Sequence, residues 1–99
     1  MNLTTFRLNQ ITEYLKNQPV LKAYIFGSYA RKMEENHSDI DILIEMDYSQ
    51  MIGLHFIQIR LDLEQILHKK VDLVCVDALS TYIKPFVEQE RELIYEKTN

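Results

Sequence analysis

Apolar residues recur along the chain at helical spacing in some stretches and at every second position in others. The helical spacing predicts an N-terminal helix whose apolar stripe is Phe6, Ile11, Tyr14 and Leu15. In a second long stretch, residues 49–68, the apolar and polar residues of the first half alternate as in a strand, but the length of the stretch favours a helix. The predicted helices run from Thr4 or Thr5 to about Asn17, from Ser49 to His68 and from Ser80 or Thr81 to about Glu90, and a short helix begins at Ser28.

Between these helices lie short runs rich in β-branched and aromatic residues, which are typical of strands. The predicted strands are residues 21–27, the stretch "SDIDILIEM" of residues 38–46, residues 71–76 and the stretch "ELIYE" of residues 92–96. The order is helix, strand, helix, strand, helix, strand, helix, strand. This order predicts an α/β (α+β) fold in which helices cover a small mixed sheet, formed as one domain over residues 1–99.

Charge and cysteine content narrow the class of protein. The formal net charge of −4 disfavours direct nucleic-acid binding through a basic surface. The single cysteine, Cys75, cannot form an internal disulfide, and its apolar neighbours predict a small core side chain. We see neither a signal peptide nor an apolar stretch of membrane-spanning length, so we expect a cytoplasmic protein without membrane contact.

The second predicted strand carries two carboxylates in an otherwise apolar run. Its three isoleucines, Ile40, Ile42 and Ile44, face one way, whereas Asp39 and Asp41 share the opposite face. Their Cα atoms would lie about 6–7 Å apart along the strand. Two such charges repel one another, but they can converge on Mg²⁺ or Mn²⁺, which prefer oxygen ligands. We therefore predict a metal platform at this strand.

Two other features fit the same site. Asp72 stands near the start of the third strand, so three carboxylates would meet if that strand lies beside the second. Gly27 and Ser28 stand between a strand and a predicted helix, where backbone N–H groups and a hydroxyl can bind an anion. A triphosphate with a divalent metal suits both the carboxylates and the anion-binding turn, which predicts phosphoryl or nucleotidyl transfer.

The spacing Gly27-Ser28, ten residues, Asp39-Ile40-Asp41 resembles the signature of the DNA polymerase beta-like nucleotidyltransferase superfamily. The stretches "GSYAR", "SDIDILI" and "VDLV" are similar to the sequence motifs of its minimal nucleotidyltransferase (MNT) branch. The resemblance implies that the three aspartates are catalytic and hold the metals, with Asp72 helping to activate the nucleophile. The implied nucleotide-binding residues are Gly27, Ser28, Arg31 and Ser38. Lys32 departs from the glycine that many members have there.

The resemblance also implies a partner. MNT proteins of this size often act as antitoxins that transfer AMP from ATP to a tyrosine of a HEPN-domain ribonuclease toxin. Surplus apolar residues on the helix of residues 49–68 would suit such a partner, although they would also suit the core. Two alternatives stay open, namely a toxin-binding antitoxin without catalysis and a nucleotidyltransferase acting on a small hydroxylated molecule. The short chain leaves little room for the acceptor domain that the latter would need.

Overall fold

A computed structural model of the chain describes residues 5–27, 39–47 and 54–98. It contains helices covering one mixed sheet, as the sequence predicts. The short helix predicted at Ser28 lies outside the described residues. The elements are α1 Thr5–Leu15, β1 Val20–Phe26, β2 Ile40–Met46, α2 His55–Leu67, β3 Val71–Cys75, a single 3-10 turn Val76–Ala78, α3 Lys84–Glu90 and β4 Glu92–Glu96.

The four strands form one sheet in the order β3-β2-β1-β4. Strand β1 is antiparallel to both β2 and β4, whereas β2 and β3 are parallel. Parallel neighbours need a long crossover connection, and α2 supplies it. As a result, β2 and β3 start at the same edge of the sheet, which is the edge where β1 ends.

One face of the sheet carries the main hydrophobic core. Ile40, Ile42 and Ile44 on β2 are at most 1% exposed, and α1 and α2 pack over them. The helices contribute fully buried side chains at Ile11, Leu15, Ile59 and Leu63. The predicted alternation of β2 is therefore confirmed, because the isoleucine face is the core face.

The opposite face of the sheet is covered only in part. Leu43 of β2 is also fully buried, although it faces away from the isoleucines. Asp41, two residues earlier on the same face, remains half-exposed. The covering of this face therefore reaches Leu43 but not the start of β2, so the end of the strand that carries the aspartates is accessible.

Two residues that the sequence predicts to be in the core, one in the first helix and one in the third strand, are more exposed than expected. Phe6, placed in the apolar stripe, is 67% exposed; Leu8 packs against the core together with Tyr14. Cys75 packs beside the core but keeps intermediate exposure. Burial is the main cause that raises the pKa of its thiol, and the carboxylate of Asp77 adds to it.

Polar contacts attach α1 to α2. The Tyr14 hydroxyl donates a hydrogen bond of 2.5 Å to Asp62 Oδ2, and Arg7 Nη1 donates one of 2.7 Å to the carbonyl oxygen of Ile66. Burial, followed by the hydrogen bond and charge of Asp62, raises the pKa of Tyr14 far above its ordinary value. These contacts hold the two helices together at the edge of the core.

The last helix begins later than predicted. Ser80 Oγ accepts a 3.2 Å hydrogen bond from the N–H of Ile83, so this serine caps a turn that precedes the helix. Helix α3 then starts at Lys84, with Pro85 in its first turn, where a missing N–H does no harm. None of the helices in the described ranges has the length and apolar character needed to cross a membrane.

Candidate active site

The parallel pairing of β2 and β3 brings two of the predicted carboxylates together. Asp41 and Asp72 are register partners on these strands, so their side chains leave the same face of the sheet. Neighbouring strands lie about 4.8 Å apart. The expectation that the third strand lies beside the second, with Asp72 next to Asp41, is confirmed.

Asp39 stands at the same edge, one residue before β2 begins. The N–H of Ile40 donates a 3.0 Å hydrogen bond to the carbonyl oxygen of Lys70, which ties the entries of β2 and β3 to each other. Both Asp39 and Asp72 are exposed. The three aspartates therefore share one accessible sheet edge.

Gly27 connects this edge to the end of β1. Its φ of 72° lies in the left-handed region, which a glycine adopts without strain. A methyl carbon built on Gly27 would overlap Oδ2 of Asp41 and would lie 3.0 Å from its Cγ. The position therefore requires glycine twice over, because of the backbone angle and because the Asp41 carboxylate lies against it. The other predicted nucleotide-binding residues, Ser28, Arg31 and Ser38, lie outside the described residues.

A carboxylate that the sequence did not reveal also reaches this turn. The N–H of Gly27 donates a 3.2 Å hydrogen bond to Oε1 of Glu90, the last residue of α3. The next residue, Arg91, places its guanidinium 4.3 Å from the centre of the Tyr24 ring on β1. The end of α3 thus holds β1 just before the glycine turn. Glu90 is 63 residues from Gly27, so no local pattern could have indicated the contact.

The donor set suits a hard divalent cation, because it consists of carboxylate oxygens. Within the described ranges, however, no three histidine, cysteine, aspartate or glutamate side chains are gathered closely enough to form a finished metal site. Asp41 instead has its carboxylate against Gly27. Since Asp41 and Asp72 have adjacent Cα atoms, side-chain rotation would bring both to one ion, and the residues fit the metal on that basis.

Asp39 and Asp72 also line an open cleft of about 760 Å³ at the β3 side of the sheet. Glu64 of α2 also lines this cleft. Its Oε1 accepts a 3.3 Å hydrogen bond from Arg60, and its Oε2 accepts a 3.0 Å hydrogen bond from the N–H of Val71. Glu64 therefore anchors the residue directly before Asp72. The other lining residues of this β3-side cleft are His68, Lys69 and Lys70.

This arrangement can be compared with known proteins. Residues 9–99 match the family model described as polymerase beta nucleotidyltransferase. The chain belongs to this family. It is accordingly a nucleotidyltransferase.

Individual relatives agree with the family assignment. "Putative protein adenylyltransferase MJ0435" of Methanocaldococcus jannaschii is 33% identical over 90 residues, which cover 91% of this chain and 95% of the relative. A solved structure described as "putative minimal nucleotidyltransferase" superposes with a TM-score of 0.78 at 26% identity, covering 93% of this chain and 95% of the other.

A further solved structure shows the same fold at lower identity. It is a tri-AMPylated HEPN toxin of Shewanella oneidensis in complex with an MNT antitoxin. The matched chain gives a TM-score of 0.69 at 21% identity, covering 96% of this chain and 74% of that one. The resemblance to the minimal nucleotidyltransferase branch, first indicated by the stretches "GSYAR", "SDIDILI" and "VDLV", is confirmed.

Proposed function

We propose that this nucleotidyltransferase is an antitoxin that transfers AMP from ATP to a tyrosine hydroxyl of a cognate HEPN toxin, in the cytoplasm and with Mg²⁺ or Mn²⁺. The observation that carries the proposal is the pairing of Asp41 with Asp72 beside the Gly27 turn. A carboxylate edge next to a glycine turn provides for a metal and a triphosphate in adjacent positions. The family membership and the adenylyltransferase relative support the same reaction.

The proposed mechanism gives the site residues the following roles. Asp39, Asp41 and Asp72 would hold the divalent metal, which when bound neutralises charge on the phosphates. Gly27 and Ser28, with Arg31 and Ser38, bind the nucleotide and orient its triphosphate.

The reaction then exchanges one phosphorus–oxygen bond for another. The tyrosine oxygen forms a bond to the α-phosphorus of ATP, and the bond from that phosphorus to the bridging oxygen breaks. Pyrophosphate leaves with the electron pair. The carboxylate of Asp72 accepts the proton of the attacking hydroxyl, which is general base catalysis.

An exposed apolar stripe on α2 supports a protein partner. Leu54, Ile57 and Leu61 are 80%, 49% and 46% exposed. They succeed one another at helical spacing on the outer side of the helix. Sequence reasoning left open whether these residues belong to the core, and the structure places all three outside it. Such a stripe on a small protein is typical of an interaction surface.

The test is transfer of labelled AMP from ATP to the cognate HEPN toxin that this proposal requires. Asp41→Asn and Asp72→Asn should each lower transfer at least about 100-fold, since loss of groups that only support metal ligands already costs 10–100-fold. Asp77→Asn is the matched control, because Asp77 is exposed and lies after β3, in the 3-10 turn. Transfer at the wild-type rate by both site variants would refute the proposal. Protection from the toxin that persists in these variants without ATP would support the binding-only alternative instead.

A further inference from the structure

The pairing of β4 with β1 places Glu90 beside the glycine turn. The two strands are antiparallel, and Ile25 is the register partner of Glu92. Along an antiparallel pair, one step forward on one strand is one step back on the other. Two residues beyond this pair, Gly27 therefore stands opposite Glu90, the last residue of α3. The 3.2 Å hydrogen bond from the N–H of Gly27 to Glu90 Oε1 follows from this register.

Two carboxylates thus approach Gly27 from opposite sides, because β1 lies between β2 and β4. On the β2 side, Asp41 is the register partner of Phe26, and its carboxylate occupies the space that a side chain at position 27 would need. On the β4 side, Glu90 accepts the N–H of Gly27. The glycine is held between the two acids.

Glu90 is separated from the predicted metal edge. Asp41 and Asp72 belong to β2 and β3, whereas Glu90 leads into β4, on the other side of β1. In nucleotidyl transfer the metal and the phosphates bind together. A carboxylate that competed with the triphosphate would have to lie on the metal side of β1. Glu90 therefore acts on the site through Gly27 rather than as a metal ligand or a competitor.

Other contacts attach α3 to the sheet without Glu90. The guanidinium of Arg91 lies 4.3 Å from the centre of the Tyr24 ring on β1. Val87, in the middle of α3, is 5% exposed. Loss of the Glu90 hydrogen bond would thus leave the helix packed in place. The effect of that hydrogen bond falls on the turn itself.

We propose that Glu90 is a positioning residue for nucleotidyl transfer, which holds the N–H of Gly27 so that the glycine turn presents its triphosphate site next to Asp41. The physical reason is that the site requires glycine, because the Asp41 carboxylate leaves no room for a side chain. Glycine is also the residue with the widest choice of backbone angles. A fixed acceptor for its N–H restores the order that glycine lacks. This inference rests on the proposed function, because it assumes that the turn binds the triphosphate.

A matched pair of variants tests the role of the acceptor. Glu90→Met removes the carboxylate oxygens and keeps the length of the side chain, whereas Glu90→Gln keeps one acceptor oxygen. Calorimetry measures Mg²⁺-ATP binding. We expect Glu90→Met to weaken it by at least about 10-fold, the lower end of the cost of losing groups that support a metal site. Glu90→Gln should bind at least about threefold more tightly than Glu90→Met. Glu90→Ala, measured in parallel, is a second variant without the acceptor.

The hydrogen bond itself can be followed by NMR. The chain has two glycines, so protein labelled with ¹⁵N-glycine gives one amide signal for each, and a Gly53→Ala sample identifies the signal of Gly27. Hydrogen exchange of the Gly27 amide should be faster in Glu90→Met than in the wild type and slow again in Glu90→Gln. Unchanged exchange in Glu90→Met would overturn the proposal.

Two controls separate positioning from charge and from general stability. Glu88→Met removes the same charge from an exposed position on α3, and Arg91→Met removes the contact with Tyr24. Both should bind Mg²⁺-ATP like the wild type. The proposal is overturned if Glu90→Met binds as tightly as the wild type or more tightly, if Glu90→Gln is as weak as Glu90→Met, or if Arg91→Met shows an equal loss.

AMP transfer to the HEPN partner, measured with the same variants, keeps this inference distinct from the proposed function. If the wild type transfers AMP and Glu90→Met binds ATP and transfers AMP equally well, the positioning role is refuted and the proposed function stands. If the wild type binds Mg²⁺-ATP with the expected dependence on Glu90 but does not modify the partner, the antitoxin function fails and the positioning role stands. A wild type that does not bind Mg²⁺-ATP refutes both.

Discussion

Replacement of Gly27 by alanine tests the link between the glycine turn and the carboxylate edge. A non-glycine residue at a φ of 72° costs about 1–2 kcal/mol. The new methyl group would also overlap Oδ2 of Asp41 and approach its Cγ to 3.0 Å, which forces the aspartate from its rotamer at about 0.5–1.5 kcal/mol. We expect Gly27→Ala to lower the free energy of unfolding by about 2–3 kcal/mol. In a chain of this size the melting temperature then falls by roughly 8–24 °C.

The second consequence of Gly27→Ala is functional. The alanine methyl group would displace the Asp41 carboxylate from the sheet edge, so AMP transfer should be lost even at temperatures where the variant is folded. Urea denaturation followed by circular dichroism gives the stability, and labelled AMP transfer gives the activity. The displaced carboxylate explains the activity loss only if the variant retains its native circular dichroism spectrum.

A double-mutant cycle with Asp41→Ala separates the two contributions to the stability loss. In the Asp41→Ala background the overlapping oxygen is gone, and the nearest Asp41 atom that persists is Cβ, 3.3 Å from the new methyl carbon. Gly27→Ala should then cost only the backbone part, about 1–2 kcal/mol. Equal costs in the two backgrounds, or a cost under about 0.5 kcal/mol in the wild type, would show that Asp41 does not lie against Gly27.

Three further predictions concern the helices. Tyr14→Phe should lower the free energy of unfolding by about 1 kcal/mol. Because the folded-state pKa of Tyr14 is raised, the stabilisation by its hydroxyl is complete below about pH 10 and declines above it. The free energies of unfolding of the wild type and the variant, measured by denaturation, should therefore converge above about pH 10, and a constant difference up to about pH 12 would refute this. Glu64→Gln should reduce AMP transfer by roughly 10-fold while the fold persists, since Val71 loses a charged acceptor beside Asp72; rates equal to the wild type would refute the positioning role. Ile57→Asp should weaken partner binding measured by calorimetry by at least about 10-fold without loss of stability, and unchanged affinity would exclude this stripe as the interface.

The sequence alone predicts most of the sheet because its signals are local. The alternation around Ile42 identifies a strand with one core face, and glycine after an apolar run marks the end of β1. The position of Asp72 beside Asp41 follows from one additional assumption, that β2 and β3 are neighbours. That assumption holds because α2 provides the crossover between two parallel strands.

The contacts that complete the site do not follow from local patterns. The hydrogen bond from Gly27 to Glu90 joins positions 63 residues apart. In the sequence, a glutamate at the end of α3 looks like an ordinary solvent-exposed residue. Phe6 carries the helical spacing of a core residue but is mostly exposed, since α1 directs Ile11 and Leu15 to the sheet. Tertiary packing therefore decides these details, whereas the spacing of apolar residues decides the order of the elements.

The most direct test of the central claim is AMP transfer by the Asp72→Asn variant. The claim is that Asp41 and Asp72, far apart in sequence, form one catalytic edge through the pairing of β2 with β3. With ATP, Mg²⁺ and the HEPN partner, Asp72→Asn should lose at least about 100-fold in transfer while its stability and partner affinity match those of the Asp77→Asn control. Transfer at the wild-type rate by folded Asp72→Asn would contradict the account.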